Sequence, residues 1–166
     1  MSSGTVERRM GVFRARCAEL GLAATHQRQV IYRMLAESEQ HPTPETVYHR
    51  VRRLIPSISL ATVYRNLKTF VGLGLIEEVG SEAGAYRLDA NLDRHHHLVC
   101  LRCKAVVDLY DPQLDRVRAT RPNPNNFRIL RYQVEALGLC PRCRAKRSIG
   151  RTKRRIHNGK SSQTSR

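Results

Sequence analysis

The stretch His95-His96-His97-Leu98-Val99-Cys100-Leu101-Arg102-Cys103 combines three histidines with a Cys-x-x-Cys pair. A second pair, Cys140-Pro141-Arg142-Cys143, follows after a long intervening segment. Two thiolate pairs at this spacing are typical of tetrahedral zinc, and four sulfur ligands leave no position open for water. The sequence therefore predicts a structural zinc held by Cys100, Cys103, Cys140 and Cys143. A redox dithiol and unpaired core cysteines are the alternatives.

Imidazole and carboxylate groups near the first cysteine pair indicate a second, exchangeable metal site. On a strand, His95 and His97 point to one face and His96 points to the other. A nitrogen and oxygen ligand set of this kind suits iron(II), manganese(II), nickel or zinc. The alternative is a polar strand edge, with a carboxylate that caps a turn. The candidate regulatory ligands are His41, Asp89, His95, His97 and Asp108.

The composition is that of a small basic protein. The chain has 166 residues, a net charge of +16, 40% hydrophobic residues and no Trp. This length allows one domain or two small ones, and the charge favours a polyanionic partner such as nucleic acid. The sequence contains neither a membrane-spanning apolar run nor a secretory signal. The five cysteines are odd in number and four of them form close pairs, which suits zinc in a reducing cytoplasm better than disulfides. We therefore expect a cytoplasmic protein without a membrane partner.

The N-terminal half predicts a winged helix-turn-helix. Four apolar helical patterns are followed by two short strands on either side of a turn at 80–84. Such folds lay the second helix of the turn motif in the major groove of DNA. The predicted helices are Val6–Leu20, Thr25–Glu37, Thr43 to a stop at Pro56, and Ser59–Val71, and the predicted strands are Leu75–Val79 and Ala85–Leu88.

The helix that Ser59 caps is the candidate recognition helix. Its polar side chains can donate to phosphates or reach base edges. The alternative is an ordinary amphipathic helix with a polar outer face. The candidate DNA-contacting residues are Ser59, Thr62, Tyr64, Arg65, Asn66 and Lys68.

The remainder of the chain predicts a small α/β unit that zinc holds together. Its exposed strand edge invites pairing with a second copy. From Arg142 onward the chain carries basic residues and no acid, which is typical of a disordered tail or an added phosphate-binding segment. The predicted elements are strands His96–Cys100 and Ala105–Leu109, a helix Pro112–Ala119, a loop at 121–126 and a strand Phe127–Glu135. The predicted domains are 1–90, 91–147 and a disordered tail at 148–166.

Several motifs together resemble the ferric uptake regulator (Fur) family of bacterial metal-dependent repressors. They are Gln40-His41-Pro42-Thr43, the helix Ser59–Leu67, Tyr86-Arg87-Leu88-Asp89, the stretch His95–Cys103, Val107-Asp108 and Cys140-Pro141-Arg142-Cys143. The resemblance implies an α+β fold and a homodimer, in which a winged helix is joined to a C-terminal dimerisation domain. It also implies a four-cysteine structural zinc and a regulatory metal at the hinge between the domains.

Within that family the chain is most similar to the peroxide-sensing (PerR) branch. The resemblance implies regulatory ligands at His41, Asp89, His95, His97 and Asp108, where iron-sensing members often carry Glu at the last position. It further implies that His41 and His95 are the oxidisable ligands, and that Tyr64 and Arg65 contact DNA. The segment Phe127–Glu135 lacks a histidine that relatives use in an additional metal site, so we expect that site to be absent. His96 is an extra imidazole that could shift metal preference towards nickel or zinc.

We therefore predict a metal-dependent transcriptional repressor of operator DNA, with structural Zn²⁺ and regulatory Fe²⁺ or Mn²⁺, that responds to peroxide. An iron, zinc or nickel homeostasis regulator without peroxide sensing is the alternative. A zinc hydrolase would need an open metal position and a general base. The sequence has no H-E-x-x-H motif, so we predict that the protein is not an enzyme. A nucleic-acid-binding zinc protein that senses nothing is the remaining alternative.

Overall fold

A computed structural model of the protein describes residues 3–38, 40–80, 86–119, 127–129 and 132–150. Four helices come first: α1 (Ser3–Glu19), α2 (His26–Ala36), α3 (Pro44–Val51) and α4 (Leu60–Gly72). Five short strands follow: β1 (Glu77–Val79), β2 (Arg87–Asp89), β3 (His96–Cys100), β4 (Val106–Leu109) and β5 (Glu135–Gly138). A 3-10 turn at Leu114–Arg116 lies between β4 and β5, and α5 (Pro141–Gly150) comes last. The α+β fold class predicted from sequence is confirmed.

Hydroxyl side chains set the N-termini of three helices. Thr25, Thr43 and Ser59 each accept a hydrogen bond from the backbone N–H three residues further on. Such caps satisfy N–H groups that the helix itself cannot pair, and the three predicted helix starts are confirmed. Helix α3 is shorter than predicted: it ends at Val51 because the chain then turns and Leu54 is 61% exposed, with no core to pack against.

An aromatic cluster holds α1, α2 and α4 together. The rings of Phe13 and Tyr32 stack at a centroid distance of 4.2 Å, and Phe70 meets Phe13 edge-on at 5.3 Å. Cys17 is buried in the same core, as predicted. After α4, Gly74 has a φ of +65°, which lets the chain reverse into the β1–β2 hairpin. The helices and the antiparallel hairpin form the winged helix that the sequence predicts.

The C-terminal sheet packs against the end of this wing. Its strand order is β4-β3-β5, with β4 antiparallel and β5 parallel to β3. Val79 from the wing joins Val99 and Val106 of the sheet in a small apolar cluster. Next to it, Gly80 has a φ of +72° and its N–H donates to Glu135 at 2.8 Å. The two parts of the chain therefore meet in a packed contact beside the histidine stretch.

Several predicted elements are wrong or lie elsewhere. The predicted helix Pro112–Ala119 is only a 3-10 turn at Leu114–Arg116, none of whose residues is buried in an apolar core. The predicted strand Phe127–Glu135 is wrong for the residues described there: 127–129 and 132–134 form no strand, and the strand that pairs with β3 begins at Glu135. The strand predicted at Ala85–Leu88 is observed at Arg87–Asp89. Helix α5 was not predicted, and it includes residues 148–150, which the sequence assigned to the disordered tail. The predicted turn at 81–84, the predicted loop at 121–126 and the tail after 150 lie outside the described residues.

Candidate metal centres and DNA interface

The four paired cysteines converge on one point. Cys100 ends β3 and Cys103 lies in the turn that follows, while Cys140 and Cys143 flank the start of α5. The parallel pairing of β3 with β5 brings the two segments together, with the Leu101 N–H donating to Gly138 at 2.8 Å. All four sulfur atoms lie within 4.8 Å of one another, and none is in a disulfide.

Backbone donors favour the thiolate form of Cys100 and Cys103, whereas burial raises the pKa of the Cys143 thiol to about 12. The Cys140 N–H donates to the Cys100 sulfur at 3.4 Å. Together with the N–H of Cys103, it lowers the pKa of the Cys100 thiol to about 5. Thiolates, not thiols, are the ligands of zinc. Four close sulfurs, two of them with N–H donors, fit a closed, structural Zn²⁺ site.

Three imidazoles surround one buried carboxylate oxygen. His41 lies between α2 and α3, Asp89 ends β2, and His95 and His97 belong to the histidine stretch. The Nε2 atoms of His95, His97 and His41 lie 2.9, 3.4 and 3.6 Å from Asp89 Oδ2. The other oxygen, Oδ1, accepts the Asn91 N–H at 2.7 Å and so fixes the carboxylate. One ligand atom from each of the four residues lies within 4.8 Å of the others.

The pKa shifts of Asp89 and His95 follow from the packing of this cluster. Burial alone would raise the pKa of Asp89, but the three surrounding imidazoles hold it well below its usual range. Asp89 in turn raises the pKa of His95 to about 9, against a smaller desolvation effect. The Nδ1 atom of His95 lies 2.7 Å from the Asp93 carbonyl oxygen, which leaves Nε2 directed at the cluster. This is the orientation that a metal-binding imidazole adopts.

Asp108 lies at the edge of the four-residue cluster. Its Oδ1 atom is 3.0 Å from His41 Nε2 and 3.8 Å from His95 Nε2. That oxygen is buried without a hydrogen bond, whereas Oδ2 accepts from the Tyr110 hydroxyl at 3.1 Å. A buried carboxylate oxygen without a donor is costly unless a cation binds it. Nitrogen and carboxylate groups in this arrangement fit a borderline divalent cation.

His96 points away from this cluster, as its position on the strand predicts. Its Nε2 atom lies 3.3 Å from Asp115 Oδ1, and the same oxygen lies 3.0 Å from Arg94 Nε. His96 therefore does not join the five candidate regulatory ligands, which the structure brings together from both parts of the chain.

The candidate DNA-contacting residues of α4 divide into two groups. Arg65 and Lys68 are exposed and not bonded to α2 or α3. In contrast, Asn66 donates to the Thr62 carbonyl at 2.8 Å and accepts from Arg28 of α2 at 3.1 Å.

Three other polar side chains of α4 also have partners within the protein. Ser59 and Thr62 hydroxyls serve the helix cap. The Tyr64 hydroxyl donates to Glu45 of α3, which raises the pKa of Tyr64 to about 12. Within the protein, Asn66 thus acts as a packing residue, and the Tyr64 ring is held by α3.

The sequence interpretation assigned no role to Arg87, which it quoted only as part of a motif, or to Tyr110; both support the candidate ligands. Arg87 lies two residues before Asp89 on β2, and strand alternation could have placed both on one face. The Tyr110 hydroxyl forms hydrogen bonds with both Asp108 and Asn91.

Among the described residues, no helix has the length and apolar character needed to cross a bilayer.

Comparisons with known proteins agree on one family. The family model described as "Ferric uptake regulator family" matches residues 19–137. The peroxide-responsive repressor PerR of Staphylococcus epidermidis is 35% identical over 124 residues, covering 75% of this chain and 83% of that protein.

Solved structures give the same answer for the fold. The Helicobacter pylori ferric uptake regulator Fur superposes with a TM-score of 0.66 at 21% identity, covering 84% of this chain and 94% of that one. The Pseudomonas aeruginosa ferric uptake regulator with manganese gives 0.60 at 25% identity, covering 77% and 97%.

Proposed function

Because the chain belongs to the ferric uptake regulator family, we propose that it is a metal-dependent DNA-binding repressor that responds to peroxide. One observation carries the proposal. His41 and Asp89 come from the winged-helix part, whereas His95, His97 and Asp108 come from the C-terminal part. The first four meet in one largely buried cluster, and Asp108 lies at its edge. Fe²⁺ or Mn²⁺ held by these five residues would tie the two parts together.

A metal at this position would control DNA binding through geometry. We propose domains at 1–90 and 91–147, joined by the polar segment between β2 and β3. In a homodimer, the angle between these domains sets the spacing of two α4 helices against two half-sites. A ligand set shared by both domains restricts that angle, so metal and DNA binding strengthen each other by about 1–3 kcal/mol.

The outer face of the C-terminal sheet fits a second copy of the chain. Leu98 of β3 is the direct cross-strand partner of Val107 of β4. They are 44% and 55% exposed, respectively. An apolar sheet face of this kind is typical of a subunit interface. We infer that Zn²⁺ at Cys100, Cys103, Cys140 and Cys143 keeps this sheet rigid.

Peroxide sensing rests on the two histidines that the family resemblance implicates. Fe²⁺ held by these residues would supply the electrons that reduce hydrogen peroxide beside the ligands. His41 and His95 both direct Nε2 into the cluster, so oxygen addition to either ring would remove a ligand and free the hinge. A cavity of about 590 Å³ borders His95 and His97 and offers peroxide a route to them.

The proposed activity is binding rather than catalysis of a substrate reaction. Four cysteine ligands leave no open zinc position, and the regulatory cluster is built from ligands that would surround the metal. Because a repressor must reach its operator DNA, we propose that the protein acts in the cytoplasm.

The test is DNA binding by the zinc-loaded protein to a duplex selected from random sequences in the presence of Mn²⁺. We expect tight binding with Mn²⁺ or Fe²⁺ and weak binding without either ion. Peroxide should release the Fe²⁺ form and leave one added oxygen on His41 or His95 in peptide mass spectra. Peroxide-resistant binding with unmodified histidines would indicate a metal-homeostasis regulator. DNA affinity independent of metal would refute both functions.

A further inference from the structure

Arg87 links the turn of the cysteine site to the backbone of His41. It is half-buried at the start of β2, on the same strand face as Asp89. Its Nε donates to the Lys104 carbonyl, and its Nη1 donates to the His41 carbonyl at 2.9 Å. A single guanidinium thus contacts a carbonyl from each part of the chain.

The acceptor at Lys104 belongs to the segment that the cysteines enclose. Lys104 follows Cys103 directly and has a φ of +59°, a left-handed conformation that non-glycine residues seldom adopt. Its N–H donates to the Cys100 carbonyl at 2.8 Å, which closes the turn between β3 and β4. The direction of the Lys104 carbonyl is therefore set by the turn that carries the cysteine ligands.

The acceptor at His41 belongs to the loop between α2 and α3, which a backbone hydrogen bond also ties to β2. The Leu88 N–H donates to the Pro42 carbonyl at 3.0 Å. Arg87 supplies the second anchor, one residue earlier in the loop. With both bonds in place, the His41 side chain is only 5% exposed, and its Nε2 atom lies 3.0 Å from Asp108 Oδ1.

We propose that Arg87 is a positioning residue that makes the regulatory metal site depend on the ordered turn of the zinc site. The inference rests on the proposed function, since it concerns the affinity of the proposed regulatory site. Arg87 contacts no candidate ligand atom; it acts through the backbone of His41. The planar fork of the guanidinium reaches two carbonyls at once, which the ammonium of Lys cannot reproduce.

The first experiment measures Mn²⁺ affinity of the zinc-loaded full chain by electron paramagnetic resonance. We expect Arg87→Met to weaken Mn²⁺ binding by about 10-fold, because two charge-assisted bonds to carbonyls are lost and water replaces part of each. Arg87→Lys should weaken it by about 3-fold, because one carbonyl keeps a donor. The control is Arg28→Met, which removes a partly buried guanidinium that bridges Asn66 and Ala23 within the winged helix.

The second experiment needs no regulatory metal. Hydrogen exchange of the Leu88 amide reports its hydrogen bond to the Pro42 carbonyl. We expect the exchange rate to rise by about 10-fold in Arg87→Met and to be unchanged in Arg28→Met. A purely structural role would lower the unfolding temperature of both arginine variants without selective loss of Mn²⁺ affinity or of Leu88 protection. Zinc content, measured on the same samples, should be equal to wild type.

The outcomes separate this inference from the proposed function. Wild-type protein that binds no Mn²⁺ would refute the regulatory site, while Leu88 exchange would still report whether Arg87 anchors the loop. Wild-type binding with an unchanged Arg87→Met variant would overturn the inference alone. If Arg87→Met fails to fold, Arg87→Lys decides: an affinity equal to wild type overturns the role of the guanidinium fork.

Discussion

Replacement of Asp89 by Asn should separate metal sensing from the rest of the protein. The Asp89 carboxylate is 6% exposed and has three imidazole Nε2 atoms between 2.9 and 3.6 Å from one oxygen. Asp89→Asn keeps the size of the side chain and an acceptor for the Asn91 N–H. It removes the negative charge and presents an amide where three nitrogens converge. The substitution therefore tests charge rather than packing.

The expected loss follows from the charge and its surroundings. Two unit charges about 4 Å apart attract by about 4 kcal/mol at an effective dielectric constant of about 20, and a divalent ion doubles this to about 8 kcal/mol. Desolvation of the buried carboxylate and the ion offsets much of that attraction. We expect about a third of the attraction, about 2.7 kcal/mol, to remain as net binding free energy. Its loss in Asp89→Asn corresponds to about 100-fold weaker Mn²⁺ binding than in the wild type.

The assay is Mn²⁺ titration of the zinc-loaded protein, followed by operator binding with and without Mn²⁺. Asp93→Asn is the matched control, because Asp93 is an exposed carboxylate paired with Arg8 and its backbone carbonyl still faces His95. We expect the control to bind Mn²⁺ within about 2-fold of wild type, as exposed ion pairs contribute little. An Asp89→Asn variant that keeps wild-type Mn²⁺ affinity and metal-dependent operator binding would refute the shared-ligand hinge.

Three further predictions concern DNA contact, the contact between the two parts of the chain, and zinc. Arg65→Ala should weaken operator binding by about 1–3 kcal/mol, measured in a salt titration. Asn66→Ala should mainly lower the unfolding temperature, because Asn66 forms its hydrogen bonds within the protein. Equal losses of operator affinity in the two variants would contradict this division. Gly80→Ala should cost about 1–3 kcal/mol in denaturant unfolding, because φ is +72° and the added Cβ would lie 3.1 Å from Val106; an unchanged midpoint would show that the contact yields. Cys140→Ser should remove the bound zinc and lower the free energy of unfolding by at least about 5 kcal/mol; retention of zinc in metal analysis would argue against the four-cysteine site.

Local sequence patterns were sufficient for the elements that local chemistry controls. Thr25, Thr43 and Ser59 were identifiable as helix caps because a hydroxyl that accepts from a nearby N–H needs no distant partner. The spacing of the cysteine pairs predicted thiolate ligands for zinc, and strand alternation separated His96 from His95 and His97. The predicted strand at Phe127–Glu135 was wrong because local alternation does not reveal which residues find a partner strand.

The sequence by itself determined the helix starts, the basic charge and the ligand types, since each depends on residue identity or short-range spacing. The tertiary structure alone decided which residues meet. Parallel pairing of β5 with β3 joins the two cysteine pairs, and the wing contact brings His41 and Asp89 to the histidine stretch. The same long-range packing turns Asn66 towards Arg28 and places Arg87 between two backbone carbonyls. These contacts join residues far apart in the chain, and their formation depends on strand register and core packing that no local pattern encodes.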